Sequence, residues 1–418
     1  MADYITDLHI HSPHSRDTSK EMTLENTSMW AQKKGISVLG AGDFTNQDWL
    51  KELQAKLMPA ENGLYRLKDS AEEINYLLSA EITCAFTALE RARRMDLIII
   101  APSFSTVEKI NSQLSWIADI KNIGQPMVEI EAKELARIVL EASPDCAVLP
   151  AHIWDLSSAL FSGRDGFDAI DECFKEMTIK IDALETGLAS DPPMNWRLSQ
   201  LDAFQITSFS GARNLTDLGR EATIFSLNEL SYKNIITALR NPTDDIKISS
   251  TIEVFPQLNE FYYDGHQNCH IRFSPKDTFS HEGFCPACSK PLTLGVMNRL
   301  EQLADRPEGF AKPENRPPYR HMASLIDIIA TANNSKKTDK TVMVEYDRIV
   351  TETMPELKLL AENSLNQFSG VISAKIIESI KRVQAGTINI TPGYDGVSGV
   401  LDVIASEADE LAGQDKLL

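Results

Sequence analysis

The chain has 418 residues, 43% of them hydrophobic, and a formal net charge of -19. No apolar run approaches the roughly 18 residues of a membrane span, and the opening "MADYITDLHI" lacks a basic stretch followed by an apolar one, so a cytoplasmic protein with no membrane partner is expected. The acidic balance opposes attraction of the whole molecule to nucleic acid, so DNA contact requires a local basic groove or divalent ions, and the length favours two or three domains.

The stretch "DLHIHS" (7–12) comes first. In a β-strand, residues two apart share a side, so His9 and His11 present two imidazoles to one face, which is half of a metal site or a polar surface pair. From residue 4 to about 245, short β-branched runs alternate with helical patterns. The strand candidates are "YITDLHI", "SVLGAGDF", "NYLLSAEIT", "DLIIIAPSF", "AVLPAHIW", "IDALETGL" and "FQITSFSG", seven in all, which fits a barrel. Helical patterns between them include 24–35, closed by Gly35, and 166–177. Asp43, Glu81, His152, Glu185 and the segment Ser208 to Arg213 gather where strands end, the position of an active-site rim in barrels of this class. Arg91, Arg93 and Arg94 form a basic cluster suited either to solvent or to phosphate.

Residues 250–310 change character. Cys285 and Cys288 form a C-x-x-C knuckle, a zinc half-site whose partner should lie upstream, where Cys269 is the obvious thiol. The other three cysteines, Cys84, Cys146 and Cys173, sit in apolar or mixed segments, so a reducing compartment fits better than a disulfide framework. From about 320 the pattern is mostly helical, and "INITPGYDGVSGVLDVI" carries a Gly-rich turn, read as a structural turn rather than a phosphate loop.

The motifs "DLHIHS", "GAGDF", "SAEIT", "PAHIW" and "LETGLASDPPMNWRLS" resemble the polymerase and histidinol phosphatase (PHP) domain. With "LGREA", "YDGH", the cysteine knuckle, "LADRPEG" and "PGYDG", the whole chain resembles the endonuclease Q family of PHP-type DNA repair nucleases, which cleave 5′ of deaminated bases and abasic sites. The resemblance implies an α/β fold: a distorted (βα)7 barrel over 1–248, a small zinc-binding module over 249–312 and a helical C-terminal domain over 313–418. It implies DNA as partner and metal ligands at His9, His11, Glu81 and His152, with Asp43 as a further candidate; Zn2+, Mn2+ or Mg2+ suit such groups.

Several family positions differ. A Ser-Asp-Ala-His segment that supplies two metal ligands reads Ser210-Gly211-Ala212-Arg213; a His-His pair reads Asp96-Leu97; and a histidine after "GDFT" is Asn46. The second upstream cysteine of the zinc module is Arg272, leaving a structural Zn2+ to Cys269, Cys285 and Cys288 with a histidine as fourth ligand, His266 ahead of the nearby His270 and His281. Two expectations follow. In one, three-metal catalysis is impaired or lost and the chain binds DNA through Arg213, Arg93 and Arg94, acting with a helicase, ATPase or nuclease partner. In the other, it remains an active metal-dependent endonuclease with a reduced cluster, in repair or in defence against foreign DNA. A small-molecule phosphoesterase fits less well, because a small substrate needs neither the zinc module nor the helical region.

Overall fold

Seven runs form the strands expected of them, each buried where it enters the core: β1 (Ala2–Asp7), β2 (Val38–Gly40), β3 (Asn75–Ala88), β4 (Arg91–Ala101), β5 (Ala147–Pro150), β6 (Ala183–Glu185) and β7 (Gln205–Thr207). The computed structural model describes residues 1–60 and 62–403. β1, β2 and β3 pair in parallel, as do β6 and β7. The distortion lies at β4, which turns directly back from β3 as a long antiparallel hairpin and then pairs antiparallel with β5. β5 meets β6 where the Ile153 N–H donates to the Glu185 carbonyl at 3.1 Å.

β8 (Ala222–Leu227) lies antiparallel to β1, and β9 (Ile246–Glu253) antiparallel to β8. The end of β7 is tied to β8: the Ser208 N–H donates to Thr223 Oγ1, and that hydroxyl donates to the Ser208 carbonyl, both at 3.0 Å. The boundary expected at 248 falls inside β9, so the sheet runs on to Glu253 and to Tyr319–His321, which pairs parallel with β9.

Strand alternation sorts the core into two layers. Leu8, Val38, Leu77, Ile98, Ile100, Leu149 and Phe225 pack into one buried cluster. Residues of opposite parity, such as Tyr76, Leu78, Ile82, Leu97 and Ile99, join the apolar faces of the surrounding helices. On β3 and β4 the parity of Leu77 and Ile98 continues to Glu81 and Asp96, so the polar site extends an apolar layer.

The helix Leu24–Lys34 forms as expected; the Thr23 side chain caps its first turn, and Gly35 ends it at φ 85°. The 166–177 pattern yields only a short helix, Ile170–Phe174, because Lys175 turns to φ 49° and the chain continues as a 3-10 turn. Beyond the barrel, arginines fasten the following segment to it: Arg197 pairs with Glu301 at 2.6 Å, and Arg299 with Asp168 at 2.6 Å. The C-terminal region is helical over Leu325–Ala332, Lys340–Glu352, Glu356–Ala361 and Ala374–Ala385. It docks on Leu24–Lys34 through Trp30 stacked on Tyr346 and a buried Lys34–Glu356 pair at 2.7 Å. The Gly-rich tail is a turn: the Gly393 N–H donates to the Gln257 carbonyl at 2.9 Å, and the Tyr263 N–H donates to the Gly393 carbonyl at 3.0 Å. Among the described residues no helix is long and apolar enough to cross a membrane.

Candidate metal centre

His9 and His11 follow β1 and sit side by side, ring centroids 5.3 Å apart, in a cavity of about 350 Å3 shared with Glu81, Asp96, His152, Asp155, Glu185 and Arg213. Each ring is held at one nitrogen and offers the other. His9 Nδ1 lies 2.9 Å from Glu185 Oε1, and its Nε2 faces Glu81 Oε2 at 3.6 Å. His11 Nδ1 lies 3.4 Å from Asp43 Oδ1, and its Nε2 faces Glu81 Oε2 at 3.4 Å. A carboxylate behind an imidazole fixes ring orientation and raises its basicity as a ligand. Asp43 therefore stands behind His11 rather than with the inward-facing groups, and its other oxygen accepts from the Ser12 N–H and Oγ, each at 2.6 Å.

Glu81 sits between the rings. While Oε2 faces His9 and His11, Oε1 lies 2.8 Å from His152 Nε2. Asp96 Oδ2 is 3.7 Å from the same nitrogen, and Asp155 Oδ2 is 3.3 Å from His152 Nδ1. Two groups thus have the composition of a metal site, His9 with His11 and Glu81, and Glu81 with Asp96 and His152. His9 Nε2 and Asp96 Oδ1 are buried without a hydrogen-bond partner among the described residues, an arrangement a bound cation would satisfy. His152 (φ 29°) and Asp43 (φ 46°) both hold positive-φ backbone, strain that tends to be kept at functional positions. His152 also packs so closely on Gly187 (φ 65°) that a Cβ there would approach its own Cβ to 2.4 Å, which demands glycine in "LETGL".

The charges compensate one another. Burial disfavours each ionised form, yet Glu185 and Glu81 together push His9 up to about 10. His152 is likewise raised against burial by Asp155 and Glu81, and Glu81 is held well below the usual carboxylate range by His9 and His152. Asp96 goes the other way, pushed up to about 7 by burial and the neighbouring Glu81 charge.

Four expected ligands, His9, His11, Glu81 and His152, come together. Asp96, Glu185 and Asp155 complete the pocket; Glu185 was legible only as a rim residue, and the other two were missed. The signal for Asp96 was its parity with Ile98 and Ile100 on β4; Asp155 stands three residues beyond His152. Asn46 has a separate role, since its Oδ1 caps the helix Gln47–Lys56 by accepting from the Trp49 N–H at 2.9 Å. Arg213 lines the cavity, but its guanidinium donates to the Arg16 carbonyl at 2.7 Å and to Gln125 Oε1 at 3.0 Å. Arg93, expected at a DNA surface, is buried: it donates to the carbonyls of Gly166 and Ala88 and lies over the Phe167 ring, so its charge is committed inside the protein. Arg94 beside it is exposed.

The second cluster forms as expected. His266 ends the strand Asp264–His266, Cys269 lies in the turn before Ile271–Phe273, and Cys285 and Cys288 sit on a tight turn closed by the Ser289 N–H donating to the Cys285 carbonyl at 2.8 Å. Their four donor atoms lie within 4.8 Å of one another, with Cys288 Sγ 3.4 Å from His266 Nδ1. Desolvation opposes the Cys285 thiolate, but the N–H groups of Ala287 and Cys288 and the His266 ring outweigh it and bring the thiol down to about 6. Arg272, opposite Gly265 in the hairpin, donates instead to the Pro392 carbonyl at 3.2 Å.

No family model matches the chain. Among curated proteins, it is 26% identical over 239 residues to the uncharacterized protein MJ0043 of Methanocaldococcus jannaschii, a match spanning 56% of this chain and only 29% of that protein. It is 24% identical over 412 residues to the uncharacterized protein YqxK of Bacillus subtilis, covering 96% of this chain and 99% of the relative. Among solved structures, the lesion-specific endonuclease PfuEndoQ of Pyrococcus furiosus superposes with a TM-score of 0.85 and 25% identity, over 99% of each chain. Endonuclease Q in complex with a 27-mer duplex bearing an abasic lesion at the active site gives the same score and identity, over 98% of this chain and 100% of that one. With this fold along nearly its whole length and a metal-type pocket at the end of its strands, the chain is an endonuclease Q-like protein.

Proposed function

We propose that the protein acts on lesion-bearing DNA as a metal-dependent endonuclease of weakened catalytic power, cleaving 5′ of a deaminated base or abasic site. The observation that supports this reading is the convergence of His9, His11, Glu81 and His152 in one cavity of a chain that superposes on a lesion-specific endonuclease. Metal ions held there supply Lewis-acid stabilisation of phosphate charge and a water of lowered pKa. Glu185 and Asp43 keep the two leading imidazoles turned inward, and Glu81 presents an oxygen to each side of the pocket. A Cys3His donor set at His266, Cys269, Cys285 and Cys288 suits a structural Zn2+. The weakening is read from Gly211, which offers no side-chain ligand, and from Arg213, which brings a fixed positive charge to the cavity wall.

Duplexes with a single uracil, hypoxanthine or abasic site test this. We expect lesion-dependent binding and slow nicking that requires added Mn2+ or Zn2+ and falls about 100-fold or more in Glu81→Gln. A second reading, a DNA-binding subunit that works with a helicase, an ATPase or another nuclease, is favoured by Arg213 in the cavity wall. Binding without metal-dependent nicking selects it, and the absence of both overturns the DNA assignment.

A further inference from the structure

The cavity carries charge of both signs. Its carboxylates are engaged by imidazoles: Glu185 pairs with His9, and Glu81, Asp96 and Asp155 all face His152. The connection between β7 and β8 contributes the opposite sign, since Arg213 and Arg220 line the same space. Arg220 leans back on its own segment, its Nε donating to the Ser210 carbonyl at 3.0 Å. Arg213 is placed by the segment that carries the histidines: the His11 N–H donates to the Ala212 carbonyl and the Ser19 N–H to the Arg213 carbonyl, both at 2.9 Å. Its side chain therefore starts from a fixed point beside the metal-type groups.

What Arg213 lacks is a counter-charge. Its hydrogen-bond partners are all neutral oxygens: Nη1 donates to the Arg16 carbonyl at 2.7 Å and to Thr18 Oγ1 at 3.3 Å, and Nη2 donates to Gln125 Oε1 at 3.0 Å. Among the described residues Nε donates to nothing, and Arg213 joins no ion pair. Arginines that fasten the fold are neutralised, Arg197 by Glu301, Arg240 by Asp182 and Arg299 by Asp168. A half-buried guanidinium held by neutral acceptors keeps its charge and part of its donor fork for an outside ligand, and planar N–H donors match the oxygens of phosphate. On a chain of net charge -19, such a point gives a polyanion local attraction.

We infer that Arg213 is a phosphate clamp: on the β7–β8 side of the cavity it takes a non-bridging oxygen of a DNA phosphodiester, supplying with a fixed guanidinium a neutralisation that needs no metal ion. Arg16, Thr18 and Gln125 hold the donor in place before the ligand arrives, so little is lost in ordering it. The inference rests on DNA being the substrate and adds how this cavity grips the backbone.

The test uses the full chain with no divalent ion added, which leaves the cysteine module undisturbed, and a denaturing gel verifies that the duplex stays intact. Fluorescence anisotropy follows a labelled duplex with one abasic site across a salt series, in wild type, Arg213→Gln and Arg213→Lys. Arg213→Gln should weaken binding about tenfold and lower the slope of log K against log salt by about one. Arg213→Lys keeps the charge and loses the planar fork, so it should bind more weakly than wild type with the slope preserved. Circular dichroism checks folding, and should Arg213→Gln fail to fold, Arg213→Met, which keeps the aliphatic stem, takes its place. Inorganic phosphate, the other source of such an oxygen, is titrated into each protein and followed by phosphorus NMR. Phosphate bound through Arg213 with duplex affinity unchanged in Arg213→Gln assigns the site to free phosphate and overturns the clamp. Equal losses in both variants at the wild-type salt slope mark Arg213 as a tether of the Arg16 and Gln125 segments, which also overturns it. A wild type that binds no duplex overturns the DNA assignment itself, whereas equal affinity and slope in wild type and Arg213→Gln overturn only the clamp.

Discussion

Gly211 and Arg213 show what one side chain does to the pocket. Gly211 lies at φ 55° with no atom within 4 Å of where a Cβ would be, so an aspartate, which tolerates the left-handed region, has both room and backbone for it. Arg213 is tied to Arg16 and Gln125 at the cavity wall, where its charge disfavours a nearby cation. Gly211→Asp with Arg213→His should therefore raise the metal content of the purified protein by about one ion per chain, a change elemental analysis resolves. Unchanged metal content would mean that the loss of that segment is not what limits the pocket. Legibility divides at the same scale. His9, His11, Glu81 and His152 were readable because the motifs that carry them match a family whose members hold metal there; the H-x-H spacing alone left a polar surface pair equally open. Asp96 was not, because it was read as a missing histidine pair, whereas strand parity sends Leu97 into the helix-facing core and Asp96 into the cavity. Arg93 misled for the complementary reason: three nearby arginines look alike in sequence, but only Arg93 is buried, its guanidinium over the Phe167 ring, while Arg91 and Arg94 stay exposed.

At the scale of elements, the barrel strands were legible because each is a short buried run with polar groups at its end, and the Gly35 stop was legible because only a left-handed cap ends that helix. The β3–β4 hairpin was not, since two adjacent apolar strands read equally well as parallel or antiparallel until their register is seen. The cysteine segment is the converse case: the C-x-x-C knuckle marks half of a metal site before any fold is known, and the fold then brings Cys269 and His266 to it. That segment leaves Phe279 and Phe284 exposed and buries little apolar surface of its own, so metal ligation should supply much of its local order. Cys288→Ala should make residues 264–293 sensitive to limited proteolysis while the barrel keeps its cooperative thermal transition. Protease resistance equal to wild type would show that the cluster is not a structural metal site.

Over the whole molecule, acidity is concentrated inside as well as outside. Beneath the pocket, Glu221 and Glu253 are both fully buried on β8's approach and on β9, and each has an oxygen without a hydrogen-bond partner among the described residues. Burial, with the Asp191 charge nearby, pushes Glu253 up to about 8, although Thr186 and Ser208 donate to it at 3.1 and 3.0 Å. An unfolded chain would ionise the same carboxyl near its ordinary value of 4.5. Between those two values the unfolded state releases a proton that the folded state keeps. The stabilising contribution of the neutral carboxyl is therefore complete below about 4.5 and is lost as the pH rises through about 8. Glu253→Gln keeps an oxygen that accepts from Thr186 and Ser208 and removes the titration, so its stability relative to wild type should improve steadily from pH 5 to pH 8.5, by on the order of a few kcal/mol across that interval. Urea midpoints measured at the two pH values decide it: parallel pH dependence in variant and wild type would mean that Glu253 is ionised in the folded protein. The same measurement bears on the pocket, because Glu253 holds Thr186 and Ser208 at the ends of β6 and β7, beside Glu185, which braces His9. Ionisation of this buried carboxyl in alkaline solution should then loosen the strand ends that aim the metal ligands, coupling the stability of the fold to the geometry of its candidate active site.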